Sequence, residues 1–186
     1  MKEPENSEAT GHKLAFGDYE QAKAWIGRRS QMYVADVPVD ESRSKYYCTL
    51  AEDGNPSYWD QTWAAMHWGG LITPPGLLMT WVMPLQWDPA GKRESPMLAM
   101  KVPLPGDTII NTGTETEFFQ PVYIGDRITV IDEIVDVSPE KSTRLGTGHF
   151  IVTDGHFYNS RGELVGRNRN TLYRFKARGG QAEETS

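Results

Sequence analysis

The feature that most restricts how this chain can fold is a gap in its charge. No Asp, Glu, Lys or Arg occurs from Gln61 to Trp87, a run long enough to raise the question of a bilayer span. The second part of the gap, Leu77 to Trp87, reads LLMTWVMPLQW and is apolar on nearly every side of a helix. A helix without a polar face has to be enclosed. Gly69-Gly70 and Pro74-Pro75-Gly76 cut the gap in two and leave one apolar helix of roughly ten residues. That length suits a buried core helix rather than a membrane span. Pro84 kinks or ends it.

The wrapping has to come from the rest of the chain. Thr108–Phe119, Asp126–Val137, Ser142–Tyr158 and Glu163–Lys176 are rich in β-formers. They are joined by Gly125-Asp126, Ser138-Pro139-Glu140 and Asn159-Ser160-Arg161-Gly162, which are turn sequences. In the third strand Leu145, Thr147, His149, Ile151 and Thr153 share one face. Gly113, Gly146, Gly148 and Gly155 fall inside these strands, where glycine marks bulges or close backbone approach. A strongly curved sheet needs such positions. Upstream, Gln31 to Val37 reads as a first strand. Asp18 caps a short helix through Trp25, and Asp40 caps a second over Glu41–Ala51, amphipathic through Tyr46, Tyr47 and Leu50. A third helix is expected over Trp59 to His67, and Asp88 to Asp107 reads as a long loop. Helices before a block of antiparallel strands predict an α+β fold. Its sheet has five strands wrapped around the apolar helix.

The 186 residues suit one domain, expected over 17–178, with a flexible tail at 1–16 and a disordered one at 179–186. With 19 Lys+Arg against 25 Asp+Glu the chain is mildly acidic, and no basic stripe marks a nucleic-acid surface. Cys48 is the single cysteine, so no intrachain disulfide can form, and a reducing, cytoplasmic setting is expected. Cys48 itself reads as a small buried hydrophobe. The polar, acidic start of the chain lacks the pattern of a signal peptide. No His, Cys or carboxylate pair has metal-ligand spacing.

The chemistry sits in three segments. Ala51 to Asp60 reads AEDGNPSYWD. Gly69 to Leu78 reads GGLITPPGLL, and Phe118 to Asp126 reads FFQPVYIGD. Taken alone, Asp53-Gly54-Asn55-Pro56 is what any tight turn would use. Taken in order and spacing, the three resemble the MaoC-like (R)-specific enoyl-thioester hydratase family. Its counterparts run Gly-Asp-x-Asn-Pro-x-His-x-Asp, Gly-x-Ile-Ala-His-Gly-Met-Leu and Lys-Pro-Val-x-x-Gly-Asp. The resemblance covers roughly residues 20–177 and implies the hot-dog fold.

It also implies a reaction and a site. Water adds across, or leaves, a double bond conjugated to a thioester. An Asp/His pair serves as base and acid, and helix-start amides hold the enolate-like oxygen. By position Asp53 matches the aspartate, and Asn55 and Pro56 match the turn of that motif. Gly76 matches the helix-start glycine, flanked by Leu77 and by Pro75, where the family often has histidine. Asn55, Pro75, Gly76 and Leu77 are the implied substrate contacts. The departure is Tyr58, which stands where the histidine belongs. A phenol titrates near 10 and an imidazole near 6.5, so Tyr58 donates a hydrogen bond but is a poor base at neutral pH.

The resemblance therefore implies a degenerate half that holds the acyl group while a MaoC-like partner subunit supplies Asp and His. The carrier would be CoA or phosphopantetheine, with no other cofactor. Its phosphates would meet scattered basic residues such as Arg167, Arg169 or Lys176. Two other readings stay open. One is a self-sufficient homodimer, either a hydratase using Asp53 with Tyr58 or a thioesterase using Asp53 or His67. The other is an acyl-thioester-binding module without turnover. His149 and His156 lie at odd spacing on one strand and so face opposite ways.

Overall fold

A computed structural model describes residues 14–85, 87–89, 91–92 and 97–177. The tail expected at 179–186, and residues 1–13 of that expected at 1–16, lie outside them. Ala15 does exchange backbone hydrogen bonds with Met100 and Leu104.

The strands are β1 (Tyr33–Val34), β2 (Trp87–Asp88), β3 (Gly91–Lys92), β4 (Thr108–Phe118), β5 (Thr129–Val137), β6 (Lys141–Ser142), β7 (Gly146–Tyr158) and β8 (Leu164–Ala177). The main sheet runs β1-β5-β7-β8-β4, with β6 added to β7, and every pairing is antiparallel. The expected sheet is thus present, but with six strands rather than five: after a break at 138–140 Lys141–Ser142 resume the pairing of β5 with β7, and the chain reverses at 143–145, where Thr143 N–H donates to Gly146 O, rather than at the expected Ser138-Pro139-Glu140 turn. The strand expected over Gln31–Val37 shrinks to two residues. The loop expected over Asp88–Asp107 contains part of the β2–β3 hairpin and a short 3-10 helix, Leu98–Lys101. Gly113 sits at a register shift between β4 and β8, as a strand glycine at a bulge should.

Four α-helices precede most of the sheet: α1 (Tyr19–Lys23), α2 (Glu41–Ala51), α3 (Pro56–Trp59) and α4 (Gln61–Trp68). Asp18 and Gln21 form a reciprocal capping box on α1. The single helix expected over Trp59–His67 is two, because Asp60 ends α3 and its carboxylate caps α4. Helix α2 matches its expected bounds, but its inward face differs from expectation. Tyr46 is 74% exposed and Leu50 87%, while Ser44 and Cys48 are buried. Tyr46 and Leu50 point out because the central helix and the Ile72–Thr73 segment leading into it meet the Arg43, Ser44, Tyr47 and Cys48 side. Arg43 lies over the Trp81 ring, and Ser44 hydrogen-bonds Thr73 at 2.8 Å.

That central helix is shorter and tighter than expected. It is a 3-10 helix over Pro75–Val82 rather than an α-helix over Leu77–Trp87. Pro84 explains the early end: its ring disfavours helical backbone at the preceding residue, and Met83 is extended with ψ 120°. Leu77, Leu78, Trp81 and Val82 nonetheless fill the core against Val130, Phe157 and Val165. A Cβ at Gly166 would stand 2.5 Å from Leu78 Cδ2 and 3.0 Å from Glu117 O, so a glycine there lets β8 approach this helix without displacing Leu78.

A second apolar cluster joins Leu98, Ala99, Val102 and Leu104 to Ile134, Ile151 and Leu172. Between the clusters a polar row crosses four strands in register: Asp132, Gly155, Asn168 and Thr116. Asn168 is buried and donates to Thr116 at 2.7 Å. Burial pushes the Asp132 carboxyl up, opposed by the Leu98 N–H it accepts and by His156.

Candidate active site

The first motif segment folds onto itself through its own polar atoms. Glu52 ends α2 in the left-handed region at φ 52°, which turns the chain back so that the Asp53 N–H reaches Cys48 O at 2.9 Å. Asp53 Oδ1 accepts the Asn55 N–H at 3.0 Å, and Asn55 Oδ1 accepts the Ser57 N–H at 3.0 Å. Asn55 so caps α3, with Pro56 at the first helical position, where its missing N–H costs nothing. Trp59 Nε1 donates to Asp53 O at 2.8 Å.

The three motif segments then join in space. Ser57 Oγ accepts from Trp68 Nε1 at 3.0 Å, and Ser57 O accepts the Ile72 N–H. Ile72 bridges to Tyr123, Thr73 N–H donates to Val122 O, and the Tyr123 hydroxyl donates to Trp68 O at 2.7 Å. Asp126 braces the third segment by accepting the Tyr123 N–H at 2.9 Å. Tyr58, 8% exposed, packs with Cys48, Ile72 and Tyr123. Its phenol is pushed up, first by burial and then by Asp53, with smaller contributions from Cys48 and Tyr47. Burial and Asp53 also push the Cys48 thiol up. The Tyr58 hydroxyl therefore stays protonated around neutrality and can only donate or accept a hydrogen bond there.

The structure brings Asp53 and Tyr58 into one electrostatic neighbourhood. Gly76 and Pro75 are exposed at the start of the central helix, and Leu77 turns its side chain into the core. The Leu77 N–H is taken by Pro74 O at 3.0 Å, but the Gly76 N–H has no partner among the described residues. Sequence reasoning did not single out Tyr47. Its hydroxyl stands 2.6 Å from where a Cβ on residue 76 would lie. Its spacing from Arg43 and Ser44 on α2 was the signal, since all share a helix face.

Other candidates lie elsewhere. His67 is the last-turn residue of α4, stacked on Trp63 at 3.7 Å with Nδ1 2.7 Å from Trp63 O. His149 is buried and stacked on Tyr19, while His156 is half-buried beside Glu133, so the two do face opposite ways. Arg169 is clamped to Asp154 by two bonds of 2.7 Å, and Arg167 reaches Glu117 and Asp154, which leaves these arginines committed to carboxylates. A groove of about 490 Å³ opens between Trp68, Gln120, Tyr123, Arg161 and Glu163. Its guanidinium is held by Glu163 at 2.8 Å and Asp126 at 3.6 Å. Among the described residues no three His, Cys, Asp or Glu side chains converge as a metal would need, and no helix is long and apolar enough to cross a membrane.

An antiparallel sheet curled over a short apolar helix, with the three motif segments gathered at the helix start, defines a hot-dog protein of the dehydratase type. Residues 24–167 match the family described as FAS1-like, dehydratase domain region, and the chain belongs to that family. A relative named "Probable enoyl-CoA hydratase alpha subunit", from Thermomonospora curvata, is 29% identical over 168 residues, covering 86% of this chain. The chain spans about half, 52%, of that relative's length. The fold is shared with solved structures. One is from the ChsH1-ChsH2 complex of Mycobacterium tuberculosis, at 22% identity over 87% of this chain and 91% of that one, with TM-score 0.66. Another is the (R)-hydratase of A. caviae involved in PHA biosynthesis, at 19% identity over 82% and 96%, with TM-score 0.56. A third is a MaoC-like dehydratase from Rhodospirillum rubrum, at 21% identity over 83% and 94%, with TM-score 0.54.

Proposed function

We propose that this chain is the acyl-thioester-holding subunit of a heteromeric enoyl-CoA hydratase or 3-hydroxyacyl-thioester dehydratase. A MaoC-like partner supplies the Asp/His pair. The observation that carries this is Tyr58, a buried phenol kept protonated by burial and by Asp53, in the position of the proton-shuttling histidine. Without a group that titrates near neutrality, the site lacks general acid–base catalysis worth on the order of 10²- to 10⁴-fold in rate. What it retains suits holding: an unpaired amide at Gly76, the Asp53 carboxylate and an apolar helix behind them. The relative named as an alpha subunit supports a multi-subunit enzyme.

The surface supports a partner as well. Strand β4 ends the sheet with eleven residues and, among the described residues, pairs only with β8. Met79 and Met83, on and just past the central helix, are 41% and 65% exposed. An unpaired sheet edge and exposed apolar side chains each favour a second subunit.

The test is hydration of trans-2-enoyl-CoA by the chain alone and by the chain co-expressed with a MaoC-like subunit. Activity is expected only in the pair. Full activity of the isolated chain would overturn the reading and favour the homodimer. Release of free CoA thiol would instead indicate a thioesterase, a reading less favoured by the contact of the exposed His67 ring with Trp63 O and the Trp63 ring of its own helix.

A further inference from the structure

The corner where Gly76 meets α2 holds two polar groups that the fold leaves unused. One is the Gly76 N–H; the other is the Tyr47 hydroxyl, which makes no hydrogen bond among the described residues. They are not neighbours by chance of a loose surface side chain. Helix α2 is locked to the segment leading into the central helix by the buried Ser44–Thr73 bond, and Arg43 stacks on the buried Trp81. Tyr47 lies on that same side of α2, one turn on from Arg43. Its ring therefore comes down over Gly76, with Cζ 3.3 Å from the place of the missing Cβ. Tyr47 is 37% exposed, and Gly76 beside it is exposed too, so this corner lies at the surface rather than in the core. The Tyr58 phenol and Asp53 stand in the same neighbourhood.

A carbonyl oxygen has two lone pairs and takes two donors. Resting on the acyl-thioester reading above, we infer that Tyr47 is the second hydrogen-bond donor to the thioester oxygen, beside the Gly76 amide. A phenol is a stronger donor than an amide or a water. Two fixed donors polarise the carbonyl and stabilise the enolate-like oxygen formed as water adds. The same contact makes glycine at 76 matter: a Cβ there would displace the Tyr47 hydroxyl from its place beside the amide. Tyr47 then sets what enters as well, since a substituent next to the carbonyl has to pass the ring.

The experiment uses the chain as purified, with any subunit it is assembled with, and crotonyl-CoA carrying ¹³C at the carbonyl. Binding is measured by titration, and the carbonyl stretch of the bound thioester by isotope-edited infrared spectroscopy. The wild type is expected to shift the band to lower wavenumber. Tyr47→Phe should return most of that shift and weaken binding by about 5- to 10-fold, the loss of one hydrogen bond. The thioether analogue, which lacks the oxygen, should bind the two proteins equally. A tyrosine that only packs would leave the band where it is. Gly76→Ala keeps the phenol but displaces it, and should give the same band change. If Tyr47→Phe keeps the full shift and affinity, the role of Tyr47 is overturned while the acyl-thioester reading stands. If the wild type binds no crotonyl-CoA in any assembled state, that reading falls and this inference with it.

Discussion

The indole N–H of Trp59 donates to the backbone carbonyl of Asp53 at 2.8 Å, so the two ends of the first motif are tied across the Asn55-Pro56 turn. The Asp53 carboxylate is itself occupied by the Asn55 N–H, which leaves its orientation set by the loop rather than by a catalytic partner. The turn so holds a carboxylate in the electrostatic neighbourhood of the Tyr58 phenol.

Trp59→Phe removes that tie and keeps the ring. The expected cost is about 1 kcal/mol, one exposed hydrogen bond. Amide exchange should quicken from Asn55 to Trp59 and stay unchanged in β7 and β8. Equal exchange in the loop of both proteins would show that the indole bond does not order it.

Tyr58→His restores the missing imidazole next to Asp53. If the absence of that group is what silences this half, the isolated variant should hydrate trans-2-enoyl-CoA at least about 10²-fold faster than the wild type. The rate should rise with pH through the imidazole range, near 6.5, because the base form is the active one. A variant as inactive as the wild type would mean that more than one group is lacking.

Asp154 and Arg169 form a two-bond pair across β7 and β8, and the carboxylate is nearly buried. The Arg169 hydrogen bonds hold the Asp154 carboxyl below the usual range, with help from Arg167 and His156 against the effect of burial. A folded pKa below the unfolded one adds stability above the unfolded value, near 3.9, and loses it as pH falls through the folded value. Arg169→Met should lower stability by about 2 kcal/mol at neutral pH and flatten the loss below about pH 4. Denaturant unfolding across that range checks both. Parallel pH curves for the two proteins would refute the coupling.

Arg174 is fully buried, gives Nε to Gly106 O at 2.8 Å and one terminal nitrogen to Val102 O at 2.7 Å, and leaves its other terminal nitrogen unpaired. Burial pulls its pKa down. Arg174→Lys keeps the charge but not the fork that serves two carbonyls at once. It should cost about 2–3 kcal/mol, seen as a fall in Tm, because at least one buried carbonyl goes unpaired. A Tm within a degree or so of the wild type would show that the fork is not needed.

Much of the fold is legible in residue order, and the places where it is not have local causes. Asp18, Asp40 and Gly113 act where their types act in any protein, as caps and a bulge. The bounds of α2 follow for the same reason. Its facing does not, because the exposed Leu50 and buried Ser44 invert the usual pattern, and the buried serine is satisfied by Asp40 O in its own helix together with Thr73 across the gap. The central helix was legible as apolar and enclosed. Its 3-10 geometry and early end come from how Met83 bends ahead of Pro84.

The chain alone determined that one apolar segment must be covered by a curved antiparallel sheet, and its resemblance to the MaoC-like family placed Tyr58 where that family's motif has histidine. Periodicity, capping and the ordinary titration range of a side-chain type are properties of residues and their near neighbours, so they can be read without coordinates. Only the tertiary structure decided that Ser57, Ile72, Thr73 and Tyr123 join the motifs into one site, and that Tyr47 comes to rest over Gly76. Those contacts link positions tens of residues apart, and their geometry depends on how α2 packs on the central helix, which no local pattern specifies.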